Sequence, residues 1–254
     1  FHDDQHGTAI VAAAAIYNGL RIFDKLIKNV KLVVSGAGAA SIACVDLLVE
    51  MGLRKDNVRM IDRNGVIYAG RKEGMNPWKQ EYAIETTDRT IADAIDGADL
   101  FMGLSGPGVL NGELVKKMGE RPIILAMSNP IPEIMPEEAM TARPDAILAT
   151  GRSDYPNQVN NVLCFPFIFR GALDCGASTI NEHMKMAAVR AIADLATKET
   201  TDVVAAAYAD EQLRFGSDYL IPKPFDPRLI EDVPTAVVKA AMESGVATRP
   251  IADL

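Results

Sequence analysis

The sequence predicts a doubly wound, mostly parallel α/β sheet with additional helices towards the C-terminal end. Three observations support this fold class. Short apolar runs rich in β-branched residues alternate with helical or turn-rich stretches, as the crossover connections of a parallel sheet require. The first run leads through a glycine-rich turn into a helix, and the strand signals end after Arg152.

The elements of the sheet follow in order along the first part of the chain. The run Thr8–Tyr17 is apolar on every side of a helix, which predicts a buried helix before the first strand. Residues 39–50 predict the helix after the first strand, and Gly52 stops it. The predicted strands cover residues 29–35, 58–62, 98–104, 122–127 and 146–149.

The last part of the chain predicts helices and a rigid connector. Thr179–Glu182 has the spacing of a capping box and precedes an apolar helical stripe that ends at Leu195. A proline-rich connector over residues 222–227 leads to a helix from Pro234 to Gly245. We expect one domain over residues 1–200 and a C-terminal segment of helices and connector over residues 201–254.

Composition excludes several classes of protein. The 254 residues carry a net charge of −8, with a pI near 5.0, which argues against nucleic-acid and anionic-membrane partners. The apolar fraction of 48% is too high for a disordered chain. Three widely spaced cysteines indicate a reducing compartment, so we expect a cytoplasmic protein. The first residue is Phe1, and we expect the sequence to begin within a longer protein.

The glycine-rich turn predicts a Rossmann-like dinucleotide site. Gly36 permits a tight turn, and Gly38 lets the backbone approach a pyrophosphate at the helix N-terminus. Ser41 replaces the third glycine of the usual pattern, and it is small enough to pack against the sheet. Asp62 ends the next strand, where an acid meets ribose hydroxyls. The alternative is an ordinary turn between strand and helix.

Two neighbouring residues leave the choice between NAD and NADP open. A carboxylate at Asp62 favours the ribose 2′-hydroxyl of NAD and repels a 2′-phosphate. The guanidinium of Arg63 is able to pair with that phosphate, or it is a solvated turn residue.

The opening residues concentrate groups that bind metals. Asp3 and Asp4 offer the hard oxygen ligands that suit Mg²⁺ or Mn²⁺. His2 and His6 are spaced as a zinc pair, although the glutamate of HExxH is absent. In the third interpretation, Asp4 caps the buried helix that follows.

Polar side chains follow two of the later predicted strands. Asn129 comes directly after the strand at residues 122–127, at the edge where open parallel sheets bind ligands. Asn160 and Asn161 belong to a polar cluster beyond the last strand. Paired amides bind a carboxylate or a nicotinamide, or they stabilise a loop.

Four segments together resemble bacterial malic enzymes. The similarity covers nearly the whole chain, and it is greatest to the large hybrid type with a downstream phosphotransacetylase-like domain. The segments that carry it are Phe1–Ala9, Gly36–Ala40, Ser128–Pro130 and Thr150–Val162.

This resemblance implies roles for individual residues. Asp4 would bind the divalent metal, Mg²⁺ or Mn²⁺, and Asp3 would be an active-site carboxylate that supports the catalytic base. Asn129 and Asn161 would face malate and the nicotinamide, together with Asn160. With the residues of the turn and of the second strand, the predicted cofactor-binding set is Thr8, Gly36, Ala37, Gly38, Ala39, Ala40, Asp62, Arg63, Asn129 and Asn161.

The resemblance also implies what this sequence lacks. The general-base lysine, the general-acid tyrosine and two further metal ligands of the family belong to a stretch upstream of Phe1. We therefore expect oxidative decarboxylation of malate to pyruvate and CO₂, with reduction of NAD or NADP, only in a larger homo-oligomeric enzyme with N-terminal catalytic and C-terminal domains. We expect the chain alone to be inactive. The alternatives are a non-catalytic dinucleotide-binding regulatory module and another Rossmann-fold dehydrogenase.

Overall fold

The fold is taken from a computed structural model that describes residues 1–208 and 213–252. The chain forms two compact units. We call residues 19–158 the sheet unit, and residues 1–18 together with 159–254 the helical unit. The boundary predicted at residue 200 falls inside the helical unit.

The sheet unit contains a six-stranded, mostly parallel sheet. Its order is β3-β2-β1-β4-β5-β6, in which β3 alone pairs antiparallel. This arrangement confirms the predicted doubly wound sheet, and the strand order changes direction between β1 and β4. The short edge strand β3 was not predicted. The strands are β1 Leu32–Ser35, β2 Val58–Asp62, β3 Gly65–Val66, β4 Leu100–Gly103, β5 Ile123–Ala126 and β6 Ile147–Thr150.

The strand register aligns the carboxyl ends of the parallel strands. Ser35 at the end of β1 lies opposite Ile61 on one side and Gly103 on the other. Ala126 at the end of β5 lies opposite Gly103 and Thr150. Five loops therefore leave one edge of the sheet at the same level, which is where doubly wound folds bind their ligands.

Short helices connect the strands, and their N-termini differ in how they are capped. The side chains of Asn76, Thr90 and Asn111 each accept a backbone N–H at the start of α3, α4 and α5. The helix α2 has no such cap. The helices that lie wholly in the sheet unit are α2 Ala39–Glu50, α3 Pro77–Gln80, α4 Ile91–Ala94, α5 Gly112–Lys116 and α6 Pro136–Ala142.

The helical unit is built around close helix packing. The C-terminal helix α10 packs on α7 and α8, and Gly171 permits the contact because a Cβ there would lie 2.8 Å from the Pro234 carbonyl oxygen. The predicted buried helix is confirmed as α1, which crosses the boundary between the units. The remaining bounds are α1 Thr8–Phe23, α7 Phe165–Asp174, α8 Glu182–Leu195, α9 Asp202–Ala207 and α10 Leu229–Glu243.

Two predicted helix starts are wrong. Asn181, rather than Thr179, caps α8, because its side chain accepts the Met184 N–H at 3.1 Å and Glu182 is already the first helical residue. The helix α10 begins at Leu229 and includes Pro234. Burial of Leu229 and Val233 outweighs the hydrogen bond that the proline cannot donate. No helix in residues 1–208 and 213–252 has the length and apolar character needed to cross a membrane.

Candidate functional site

The glycine-rich turn at the end of β1 contains two glycines with different structural requirements. Gly36 has φ +111°, and a Cβ there would lie 2.6 Å from the Leu104 carbonyl oxygen, so only glycine fits. Gly38 has φ −87°, which any residue adopts, and a Cβ there would meet no atom within 4 Å. The fold therefore requires Gly36 but leaves open space at Gly38.

The open space lies at an uncapped helix N-terminus. Gly38 is the N-cap of α2, and its carbonyl accepts the Ile42 N–H at 3.0 Å. No side chain caps the first turn, which contains the backbone N–H groups of Ala39, Ala40 and Ser41. A helix N-terminus with free donors and a positive dipole end binds anions. The turn thus fits the diphosphate of a dinucleotide.

At the end of β2, Asp62 is held between two cations. Its oxygens accept from Arg71 Nη2 at 2.6 Å and from Lys79 Nζ at 2.7 Å, and one also accepts the Asn64 N–H. Burial raises the pKa of Asp62, but the hydrogen bonds from Arg71 and Lys79 outweigh it and leave the pKa below its ordinary value. Asp62 is therefore ionised and its charge is compensated by the protein itself.

This arrangement changes the electrostatic interpretation of the second strand. Sequence reasoning considered Asp62 and Arg63 but missed Arg71, which lies in an irregular stretch, and Lys79, which lies in the short helix α3. Arg63, the next residue after Asp62, is exposed on the surface. Three positive side chains and one carboxylate give the end of β2 a net positive charge. The available signal was the number of basic residues from the end of β2 to α3.

The loops after β4 and β5 are tied together by a residue that sequence reasoning also missed. Glu133 is fully buried, and its carboxylate accepts the N–H groups of Ser105 and Ser128 at 3.0 and 3.1 Å. Asn129 follows on the surface, at the carboxyl end of β5 as predicted, and Gly151 lies against its amide. The hydrogen bond from the Ser128 N–H to Glu133 fixes the backbone directly before Asn129 and so holds Asn129 at a defined place.

In the helical unit, the structure brings Asp3 and Asn161 together. Asn161 Nδ2 donates to Asp3 Oδ2 at 2.5 Å, while Asp3 Oδ1 is buried without a hydrogen-bond partner. A Cβ on Gly7 would overlap Asp3 Oδ1, so glycine is needed there. Burial, and then the neighbouring Asp4 charge, raise the pKa of Asp3. An orphaned carboxylate oxygen costs free energy, which is typical of functional sites.

Residues Asp3–Gly7 form a π-helical turn that continues into α1 at Thr8. Such turns occur frequently at functional sites. Asp4 is exposed and makes no capping hydrogen bond in the described part of the chain, so the structure does not support the capping interpretation. Asn160 Oδ1 accepts the Val162 N–H at 3.0 Å and caps the short turn Asn161–Leu163.

The described residues do not supply a complete metal site. Among them, no group of three His, Cys, Asp or Glu side chains converges as ligands would. His6 Nδ1 contacts the backbone nitrogen of His2 at 2.8 Å. A divalent cation bound at Asp4 would need further oxygen ligands.

Comparison with known proteins identifies similar sequences along the whole chain. The family model for the malic enzyme NAD-binding domain matches residues 5–208. The NADP-dependent malic enzyme of Escherichia coli is 64% identical over all 254 residues, and the NAD-dependent malic enzyme of Rhizobium meliloti is 62% identical over 253. The malic enzyme structure from Pyrococcus horikoshii matches 99% of the chain with a TM-score of 0.87 and 36% identity.

The chain is shorter than these relatives. It spans 34% of the Escherichia coli protein and 33% of the Rhizobium meliloti protein, and it covers 57% of the Pyrococcus horikoshii structure. The relatives therefore contain further segments that have no counterpart here.

Proposed function

The chain belongs to the malic enzyme family, and from that membership we propose that its sheet unit binds NAD or NADP for the oxidative decarboxylation of malate. Pyruvate and CO₂ are the products of the proposed reaction. The activity is assigned to the whole protein that contains this sequence, since the chain spans about a third of its curated relatives.

One observation carries the proposal. The uncapped N-terminus of α2 faces open space at Gly38, at the point between β1 and β4 where the strand order changes direction. Doubly wound folds bind dinucleotides at this point. An ordinary structural turn needs no such combination of free N–H donors and space.

In this proposal a few residues of the chain bind or orient the ligands. The first turn of α2 binds the diphosphate, and the amides of Asn129 and Asn161 hydrogen-bond malate or the nicotinamide carboxamide. Asn161 also holds Asp3 through Oδ2, which leaves Oδ1 for a partner in the complete active site. When bound, the dinucleotide supplies the acceptor for the hydride that leaves C2 of malate.

We further propose a preference for NADP over NAD. The relatives do not decide the question, because they include enzymes named for either cofactor at similar identity. The local charge supports NADP: Asp62 is neutralised by Arg71 and Lys79 and no longer repels a 2′-phosphate. Lys79 Nζ and the exposed Arg63 are the cations available to pair with that phosphate.

Metal binding, assembly and location are proposals for the whole protein. Asp4 is proposed as one carboxylate ligand of Mg²⁺ or Mn²⁺, with the other ligands outside the residues described here. The proposed binding of the diphosphate and the proposed hydrogen bonds of Asn129 and Asn161 do not depend on this ion. We also propose that the whole protein is cytoplasmic and forms a homo-oligomer. Light scattering of the purified whole protein would test the oligomeric state.

The proposed function is tested in two steps. Calorimetric titration of the 254-residue chain with NADP and NAD measures binding, for which we expect one site. The natural protein that contains this sequence is then assayed for malate-dependent NADP reduction with Mn²⁺, by absorbance of the reduced cofactor. We expect turnover in the natural protein and none in the chain alone.

The outcomes separate the alternatives. Dinucleotide binding without malate oxidation by the natural protein would favour a regulatory module. Oxidation of another substrate would favour a different dehydrogenase. Asn161→Ala should abolish turnover while leaving binding of adenosine 2′,5′-bisphosphate within about twofold of wild type, because Asn161 lies outside the sheet unit. Asn57→Ala is the matched control and should retain turnover, because Asn57 is a half-buried, hydrogen-bonded amide at the other end of β2.

A further inference from the structure

Glu133 is a buried carboxylate to which the proposed reaction gives no task. Its side chain is fully buried, and burial raises its pKa against the opposing effect of two backbone hydrogen bonds. Within the described residues, no lysine, arginine or histidine pairs with it. Burying a carboxylate without a cation is costly, so a residue retained only for packing would be cheaper as a neutral one.

The two oxygens of this carboxylate hold two different loops. Oε1 accepts the Ser105 N–H at 3.0 Å, in the loop after β4. Oε2 accepts the Ser128 N–H at 3.1 Å, in the loop after β5. The backbone carbonyl of Glu133 also accepts the Leu110 N–H at 3.2 Å, so the loop after β4 is held at both ends.

The sheet is shaped to admit this side chain. Gly103 ends β4, and a Cβ there would overlap the carboxyl carbon of Glu133 and lie 2.7 Å from its Cγ. The strand therefore carries no side chain where the carboxylate passes. The connection extends to β1, because Ser35 Oγ and Ser105 Oγ are hydrogen-bonded at 2.7 Å. Ser35 immediately precedes Gly36 of the glycine-rich turn.

We propose that Glu133 is a positioning residue, which fixes the loops after β4 and β5 in the conformation that receives the nicotinamide half of the dinucleotide. In a doubly wound sheet the adenosine half lies over β1 and β2, and the nicotinamide half lies over the strands beyond the point where the order reverses. Glu133 holds loops only on the nicotinamide side. The inference rests on the proposed function, since it presupposes that the sheet unit binds a dinucleotide.

The test compares a whole dinucleotide with its adenosine half. Glu133→Gln keeps the shape of the side chain but turns an NH₂ group towards one of the two backbone donors, which breaks one charge-assisted hydrogen bond. In the natural protein that contains this sequence, we expect the Kd for NADP to rise roughly tenfold. The Kd for adenosine 2′,5′-bisphosphate should stay within about twofold of wild type. Both are measured by calorimetry.

A matched control tests whether any lost carboxylate contact has this effect. Glu138 Oε1 accepts the Gly112 N–H at 2.7 Å, and its side chain is exposed to solvent, unlike that of Glu133. Glu138→Gln should leave both dissociation constants unchanged. Equal weakening of NADP and of the adenosine half in Glu133→Gln would overturn the inference, as would no weakening of either. If the wild-type protein bound neither probe, the proposed function would itself fail, which is a different result.

A milder variant covers the case in which Glu133→Gln does not fold. Ser35→Ala removes the hydrogen bond between Ser35 Oγ and Ser105 Oγ and leaves Glu133 in place. We expect a two- to fivefold rise in the Kd for NADP and an unchanged Kd for adenosine 2′,5′-bisphosphate. Unchanged affinity for NADP in a folded Ser35→Ala protein would contradict the proposed coupling of these loops.

Discussion

Substitution of Gly38 distinguishes most clearly between a turn that binds a ligand and a turn that is only structural. Its backbone has φ −87° and ψ −178°, and a Cβ would meet no protein atom within 4 Å. Alanine at this position therefore strains nothing in the fold. Alanine reduces the freedom of the unfolded chain but is a poorer N-cap residue than glycine, so Gly38→Ala should change the free energy of unfolding by less than about 1 kcal/mol.

The same methyl group should severely weaken dinucleotide binding. A diphosphate held by the first turn of α2 approaches the backbone at hydrogen-bond distance, so a Cβ at Gly38 pushes it away from the donors. Losing two charge-assisted hydrogen bonds at about 1.5–3 kcal/mol each predicts a rise in Kd of at least about a hundredfold. Affinity for the dinucleotide is thus expected to fall sharply, while stability changes little.

Urea unfolding and calorimetric titration with NADP measure the two quantities on the same 254-residue chain. Gly112→Ala is the matched control, because this glycine also lies at the start of a helix and a Cβ there makes only ordinary contacts, the nearest at 3.5 Å. It should leave the Kd unchanged. Binding of NADP by Gly38→Ala within threefold of wild type would refute the proposed diphosphate site. A loss of stability well above about 1 kcal/mol would contradict the expectation that alanine fits at this position.

Three further predictions follow from the same geometry. Gly36→Ala should lower the free energy of unfolding in urea by at least about 2 kcal/mol. The reason is that φ +111° disfavours a side chain and the Cβ would approach the Leu104 carbonyl oxygen. A variant as stable as wild type would contradict this prediction. Lys79→Ala should raise the Kd for NADP about tenfold or more and that for NAD less than threefold by calorimetry, and an equal change for both would count against a 2′-phosphate site. Asp62→Asn should cost about 3 kcal/mol at pH 7, because it leaves Arg71 buried without its anion. The folded-state pKa of Asp62 is lowered, so wild type has this stability above the ordinary aspartate pKa and loses it as the pH falls through the folded value. The difference in free energy of unfolding between wild type and Asp62→Asn, measured with urea, should therefore narrow below about pH 4. A difference that does not change with pH would contradict the assignment.

The sheet could be predicted because its strands have strong local signals. Each predicted parallel strand is short, apolar and largely buried, and Asp62 ends β2 where the pattern placed it. Helix starts were harder because a cap depends on which side chain reaches a free N–H. Asn181 and Thr179 are both good caps, and only the folded backbone decides between them.

The site could be predicted only where a motif marks it. The glycines of the turn were visible in the sequence, although the difference between Gly36 and Gly38 depends on the position of Leu104. Arg71 and Glu133 act through contacts between loops, and no periodicity or spacing in the sequence predicts such contacts. Their roles emerge only when the loops that follow separate strands meet at one edge of the sheet.

Amide hydrogen exchange of the 254-residue chain, with and without saturating NADP, tests most directly whether the first turn of α2 binds the diphosphate. The amides of Ala39, Ala40 and Ser41 have no side-chain cap, so they should exchange rapidly in the free chain and slow down on binding. We expect NADP to protect these amides, which lie at the carboxyl edge of the sheet, from exchange. Binding of NADP with no change at these three amides would contradict it.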